Sequence, residues 1–177
     1  DLHLCDRRQR QMCIRDSARD KDAVVASMLI CEMAAYYKSQ GKTLIDVMNG
    51  LYDEFGYYCN TVQSYTFEGA AGMEKMAAIM DGLRDNKPSS FAGYEVTKID
   101  DYKTSKSTIV KTGEESEITL PKSNVLAYTL TNGNKVIVRP SGTEPKIKAY
   151  ITAIGQSEEN AKEIAQRLLN DANELMK

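Results

Sequence analysis

The feature that most narrows the possible folds lies at residues 125–138. Two apolar runs, 125–130 and 135–138, flank Thr131-Asn132-Gly133-Asn134. Asparagine and glycine tolerate positive φ best, so Asn-Gly between apolar runs predicts a β-hairpin. Beyond Arg139-Pro140-Ser141-Gly142-Thr143-Glu144-Pro145-Lys146, the residues Ile147, Ala149, Ile151 and Ala153 alternate onto one face and predict a further strand. Ser157 then offers its hydroxyl to the start of a final helix, with Glu158 and Glu159 in the positive first turn. Ala161, Ile164, Ala165, Leu168, Ala172 and Leu175 form the buried stripe of that helix. Strands joined by hairpins, with helices lying across them, predict an α+β domain: a mixed or antiparallel sheet with helices packed on one face.

The pattern extends this domain back to residue 57. Residues 57–67 are rich in aromatic and β-branched side chains and read as one strand or two short ones. Residues 71–86 read as a helix with Met73, Met76, Ala77, Met80 and Leu83 on one face, stopped by Pro88. A strand follows at 94–99, and the polar stretch 101–124, containing Gly113 and Pro121, reads as a long loop or excursion. Before residue 57 the spacing predicts two more helices. The first, over 20–38, carries Val24, Met28, Cys31 and Ala35 on one stripe, widened by Val25 and Leu29. It is apolar around much of its girth, which predicts a core position for the helix and for Cys31. The second starts at Thr43, with Asp46 three residues on to cap it. Its face holds Leu44, Val47, Met48, Leu51 and Phe55, and Gly56 ends it. Residues 1–17 carry four arginines and no clear period, and read as an unmatched leader, disordered or extraneous.

Charge and cysteine usage exclude several functions. A net charge of −2 argues against a nucleic-acid coat or a binder of acidic membranes. No apolar run approaches the ~20 residues needed to span a bilayer. No secretory signal is visible, so a cytoplasmic location is expected. Cys5, Cys13, Cys31 and Cys59 form no Cys-x-x-Cys pair, which argues against a zinc site or a disulfide framework. The single histidine, His3, would have to carry any triad alone.

The segment 139–148 concentrates chemistry. Arg139, Lys146 and Lys148 are cations, Ser141 and Thr143 supply hydroxyls, and Gly142 lets backbone amides approach a ligand. The arginine fork and a turn of successive N–H groups both suit phosphate oxygens. Pro140 and Pro145 bracket the turn and limit its freedom. Lys146 and Lys148 share one strand face, opposite Ile147 and Ala149. These residues can form an anion cradle, although spacing alone favours a solvated strand–turn–strand with ordinary surface charges. Glu144 counts against a pure anion site, although it could orient Arg139 or a lysine. A second candidate is the start of the first helix, where Asp20 or Asp22 can cap and Lys21 could reach outward.

These residues resemble a known family. The run from Arg139 to Lys148 is similar to the phosphate-binding loop in the last domain of the α-D-phosphohexomutases. Leu120-Pro121-Lys122-Ser123-Asn124-Val125-Leu126 and Arg19-Asp20-Lys21-Asp22-Ala23-Val24-Val25-Ala26-Ser27 resemble the bacterial phosphoglucomutase pattern, in family order. The resemblance covers residues 18–177. It implies that residues 18–56 are the C-terminal part of domain III, two helices from the end of a truncated α/β domain, and that 57–177 are the phosphate-binding domain IV.

The same resemblance implies a function. Such enzymes interconvert glucose 1-phosphate and glucose 6-phosphate through glucose 1,6-bisphosphate, with a phosphoserine and a Mg²⁺ held by aspartates in earlier domains. Arg139, Ser141, Gly142 and Thr143 match the loop that holds the non-reacting phosphate, with Lys148 as helper. Lys21 matches a lysine that approaches the phosphosugar. The serine, metal and sugar loops of the family find no match here, and Gly113-Glu114-Glu115-Ser116 mimics the sugar loop in letters only. The chain therefore reads as a C-terminal part without catalytic or metal residues of its own, inactive alone, with a phosphosugar as its partner. A stand-alone phosphosugar-binding module, or a part of a phosphomannomutase, phosphopentomutase or phosphoglucosamine mutase, are the other readings.

Overall fold

The computed structural model describes residues 22–69 and 71–176. The leader at 1–17 and Lys21 lie outside the described residues. The chain divides into two compact units, residues 1–54 and 55–177.

The first unit contains α1 (Ala23–Ser39) and most of α2 (Leu44–Phe55). Both starts are capped by side chains. Asp22 Oδ1 accepts from the Val25 N–H at 2.9 Å. At α2 the Thr43 N–H donates to Asp46 Oδ2 at 2.8 Å, and the Asp46 N–H donates to Thr43 Oγ1 at 3.1 Å. This is the reciprocal cap that the Thr43/Asp46 spacing predicts, and the Thr43 hydrogen bonds hold the Asp46 carboxyl below its ordinary pKa. The expected core position of α1 is not found. Neither helix has a buried residue, Val24 is 80% exposed, and Cys31 is exposed. A pair of helices by itself has too little facing surface to enclose side chains.

The second unit is one antiparallel sheet with two helices on one face. Its elements are β1 (Tyr57–Thr66), α3 (Gly72–Asp85), β2 (Ser90–Phe91), β3 (Tyr94–Asp101), β4 (Lys106–Ile109), β5 (Glu115–Glu117), β6 (Leu126–Leu130), β7 (Lys135–Pro140), β8 (Lys146–Gly155) and α4 (Glu158–Leu175). The strand order is β1-β8-β7-β6-β3-β4-β5, with β2 paired to β3. Every pairing is antiparallel. Asn132 and Gly133 take φ of 69° and 84°, as the predicted hairpin between β6 and β7 requires.

Alternation decides the rest. Leu126, Tyr128, Leu130, Val136, Val138, Ile147, Ala149, Ile151 and Ala153 are all buried. They form one core with Met76, Met80 and Leu83 of α3 and Ile164, Ala165, Leu168 and Ala172 of α4. Met73 and Ala77, expected on the buried face of α3, are exposed. Buried Gly72 lies where that helix meets the sheet. Ser157 caps α4 by accepting from the Asn160 N–H at 3.2 Å.

Residues 101–124, read from their polarity as a loop, contain β4 and β5. These strands lie at the end of the strand order and only Ser107 among their residues is buried, so they need no apolar face. Their charges pair instead, with Lys106 Nζ 2.7 Å from Glu115 Oε2. Charged side chains on a terminal strand also discourage pairing with other chains, and that composition hides the strand from an apolar search.

Two close approaches lock the layers. A Cβ on Gly72 would lie 2.4 Å from the Phe67 carbonyl oxygen and 3.0 Å from Pro145 Cβ. The Phe67 N–H donates to the Pro145 oxygen at 2.9 Å. The end of β1, the start of α3 and the exit of the 139–146 segment therefore meet at one point. We expect Gly72→Ala to cost about 1–3 kcal/mol in urea unfolding, because backbone must move. Gly82→Ala, with nothing within 4 Å of the new methyl, is expected to be neutral or stabilising by about 0.5–1 kcal/mol.

A second tie has a pH signature. Arg84 donates from Nε to Asp101 Oδ2 at 3.2 Å and from Nη2 to Asn124 Oδ1 at 2.6 Å. Burial raises the Asp101 pKa, but the hydrogen bonds and charge of Arg84 and the Lys103 N–H outweigh it and hold the carboxyl below 3.8. A depressed folded-state pKa contributes stability above the unfolded value and loses it as pH falls through the folded one. Wild type should therefore lose this contribution below about pH 3.8, and Asp101→Asn should flatten that acid limb in pH-dependent thermal unfolding.

Candidate functional site

The hairpin of β7 and β8 carries the segment singled out by sequence. Pro140 ends β7 and Lys146 begins β8. The Ser141 N–H donates to the Lys146 oxygen at 2.7 Å, and the Lys146 N–H donates to the Glu144 oxygen at 2.7 Å. Ser141 Oγ accepts from the N–H groups of Thr143 at 3.4 Å and Glu144 at 3.3 Å. The loop thus satisfies most of its own backbone. The Gly142 N–H has no acceptor among the described residues. A Cβ there would meet nothing within 4 Å, and the residue is not in the left-handed region. Its own backbone therefore does not require glycine, and the missing side chain leaves an open approach to the amide.

Strand register places the charges. Arg139 of β7 is the direct partner of Lys148 on β8, and Lys148 faces Ser64 on β1. Their neighbours Val138 and Ala149 point into the core, so the two cations stand side by side on the face away from the helices. Neither has an ion-pair partner among the described residues. Directly opposed residues have Cβ atoms about 4.5–5.5 Å apart, and like charges there are destabilising. Lys146 shares that face but turns to Glu144, with Nζ 3.0 Å from Oε2. Glu144 therefore orients a lysine rather than Arg139.

A cavity of about 340 Å³ opens beside this pair, lined by Arg139, Pro140, Ser141, Gly142, Thr143, Lys148 and Tyr150. All five residues matched to the phosphate loop lie on it. Tyr150 was not anticipated; the signal was the strand period, since it sits two residues beyond Lys148 on the same face. The wall offers two cations, three hydroxyls and a free amide, and no carboxylate. Such a set attracts an anion.

The other candidates separate from it. Asp22 is spent on its cap, and Lys21 lies outside the described residues. Gly113-Glu114-Glu115-Ser116 sits at β5, the opposite end of the strand order from β8. A further cavity of about 280 Å³ between α3 and β3–β5 includes Arg84, Asp101, Lys106 and Glu115. Those charges neutralise one another through the Arg84–Asp101 and Lys106–Glu115 pairs. Among the described residues no three of His, Cys, Asp and Glu cluster as metal ligands. No described helix is long and apolar enough to cross a membrane.

Comparison with known proteins converges on one family. A family model described as the phosphoglucomutase/phosphomannomutase C-terminal domain matches residues 73–170. A phosphoglucomutase of Staphylococcus haemolyticus is 36% identical over 155 residues, which is 88% of this chain and 28% of that protein. One from Staphylococcus aureus is 42% identical over 134 residues, 76% of this chain and 24% of that protein. The structure of the Paramecium phosphoprotein pp63/parafusin, a phosphoglucomutase in its open form, aligns with a TM-score of 0.55 at 17% identity. That alignment covers 89% of this chain and 27% of parafusin, and it supports the fold. The chain spans about a quarter of the length of the relatives it matches.

The uncompensated pair makes a measurable claim. Arg139→Gln or Lys148→Gln should stabilise the ligand-free chain by about 0.2–1 kcal/mol at low salt, by removing a like-charge contact. Thermal unfolding should show the gain shrinking as ionic strength rises. Gly142→Ala should leave stability unchanged in the same assay.

Proposed function

The chain belongs to the phosphoglucomutase/phosphomannomutase family and carries its C-terminal domain; from that premise we propose that it is the part of a phosphoglucomutase that holds the phosphate not undergoing transfer. The observation that carries this reading is the opposed, unpaired Arg139 and Lys148 on the wall of an acid-free cavity. A bound phosphate removes the repulsion between them, so the ligand supplies what the free protein lacks. On this reading Arg139 grips two phosphate oxygens with its planar fork. Lys148 neutralises the remaining charge, the Ser141 and Thr143 hydroxyls complete the contacts, and the Gly142 amide faces the ligand. Lys21, outside the described residues, is kept as a proposed substrate contact on the family resemblance alone.

The proposed parent enzyme interconverts glucose 1-phosphate and glucose 6-phosphate, passing through glucose 1,6-bisphosphate. Residues 18–56 are then the end of its third domain and 57–177 its fourth, with 1–17 as an unmatched leader. Holding the distal phosphate breaks no bond. It contributes binding energy that orients the reacting end, and phosphoryl transfer depends mainly on positioning and charge stabilisation. The described residues of this chain do not fit a Mg²⁺ site, so the proposed Mg²⁺ is held elsewhere in the parent and no step runs through it here. The chain alone is expected to bind a phosphosugar without turning it over.

Titration calorimetry of the chain with glucose 6-phosphate tests the binding. Arg139→Ala should weaken it about 10-fold or more, the range for a hydrogen-bonded charged contact. In the complete enzyme the same change should raise KM and lower kcat/KM. An unchanged kcat/KM would remove Arg139 from the site, and robust turnover by this chain in a coupled assay would overturn the proposed division of labour.

A further inference from the structure

We infer that Tyr150 makes the pocket selective for a phosphate esterified to a sugar or similar polyol over free inorganic phosphate. The inference rests on the phosphate-holding role proposed for Arg139 and Lys148, and adds the part of the ligand that this pair does not touch.

Arg139, Gly142, Lys148 and Tyr150 all line the cavity, and register puts Tyr150, opposite Ile137, on the side of the Arg139–Lys148 pair away from the 141–145 loop. Tyr150 follows Lys148 by two residues on the same strand face, about 7 Å along an antiparallel strand. Its register partners are Val62 on β1 and Ile137 on β7. Val62 is 53% exposed and Tyr150 36% exposed. A sheet face turned away from the core ordinarily alternates to polar residues, yet the row beside the cations is aromatic and aliphatic. The Tyr150 hydroxyl also has no hydrogen-bond partner among the described residues. This row does not serve the core, whose side chains lie on the opposite face of the sheet.

The chemistry of a sugar phosphate fits both the cations and the ring. Its phosphate needs charge and amide donors. The carbon skeleton offers C–H faces that pack on an aromatic ring and hydroxyls that pair with a phenol. Small-molecule sites combine apolar lining with a few placed polar groups and occupy roughly 300–1,000 Å³. A cavity of about 340 Å³ holds more than a lone phosphate. With the phosphate held at Arg139 and Lys148, Tyr150 is the next outward side chain along β8 that the esterified part of the ligand would meet. Because its side chain stands outside the core, replacing it should leave folding intact, which thermal unfolding of each variant checks.

The experiment compares two ligands on the whole 177-residue chain. Glucose 6-phosphate and inorganic phosphate are titrated into wild type, Tyr150→Ala, Tyr150→Phe and Arg139→Ala. Tyr150→Ala should weaken glucose 6-phosphate at least about fivefold, equivalent to roughly 1 kcal/mol, and leave inorganic phosphate within about twofold. Tyr150→Phe should fall between wild type and Tyr150→Ala, separating ring from hydroxyl. Arg139→Ala should weaken both ligands. Saturation transfer from aromatic protons should reach the sugar protons in wild type and vanish in Tyr150→Ala. If Tyr150→Ala weakens both ligands equally, or neither, the selectivity role falls while the phosphate site stands. If wild type binds neither ligand, or Arg139→Ala binds both as well as wild type does, the phosphate reading falls and this inference falls with it.

Discussion

The antiparallel register between β7 and β8 is the constraint on which the rest depends. Side chains alternate with period two, so a slip of one residue would turn Val138 and Ala149 out of the core and Arg139 and Lys148 into it. Burying two cations without partners is far costlier than burying two aliphatic groups. The apolar face under α4 therefore fixes which residues look outward, and the outward neighbours are the two cations. The cavity wall is a consequence of how the core is filled, on the other side of the same pair of strands.

The loop between those strands is held from a second direction. The Phe67–Pro145 hydrogen bond and the close seat of Gly72 tie it to the end of β1 and the start of α3. Ser141 and Lys146 close it internally. The Gly142 amide and the Thr143 side chain remain uncommitted among the described residues. Groups mounted on strands and braced turns keep their geometry better than groups on free loops, so a ligand pays less to order them. Tyr128 shows the same economy within the core: its ring packs on Phe91 at 5.4 Å and its hydroxyl reaches the Leu83 oxygen at 3.4 Å.

Much of this was legible from residues alone, for physical reasons that differ by element. The Asn132-Gly133 turn, the alternation of 147–153 and the stripe of α4 report burial directly, so they predict the sheet and its covering helix. The Thr43/Asp46 spacing reports a local hydrogen bond and predicts the cap. Polarity misled at 101–124, because strands at the end of a sheet that bury little need few apolar side chains. Apolarity misled at α1, because a helix pattern reports what a helix would bury and not whether a partner is present. At the site, the residue types at 139–148 were visible, but their pairing was not. Lys146 and Lys148 share a face, and only the folded loop shows Glu144 taking the first and leaving the second. Tyr150 lay beyond the motif, and its place on the wall follows from strand period rather than from motif letters.

That last point bears on how a binding domain divides its work. A strand is a ruler: positions 148 and 150 sit at a fixed interval on one face, and neither can shift without moving Ala149 in the core. The charge carried at 148 attracts an anion of any origin, since electrostatic attraction by itself carries little shape information. Discrimination must come from a neighbour at a set distance that contacts the rest of the ligand. On a face otherwise free of core duties, the ring at 150 is proposed as that second contact, with no loop to be ordered. The opposed cations at 139 and 148 cost the free protein stability, and in the proposed site a bound anion returns it, so occupancy would itself help to hold this hairpin in place.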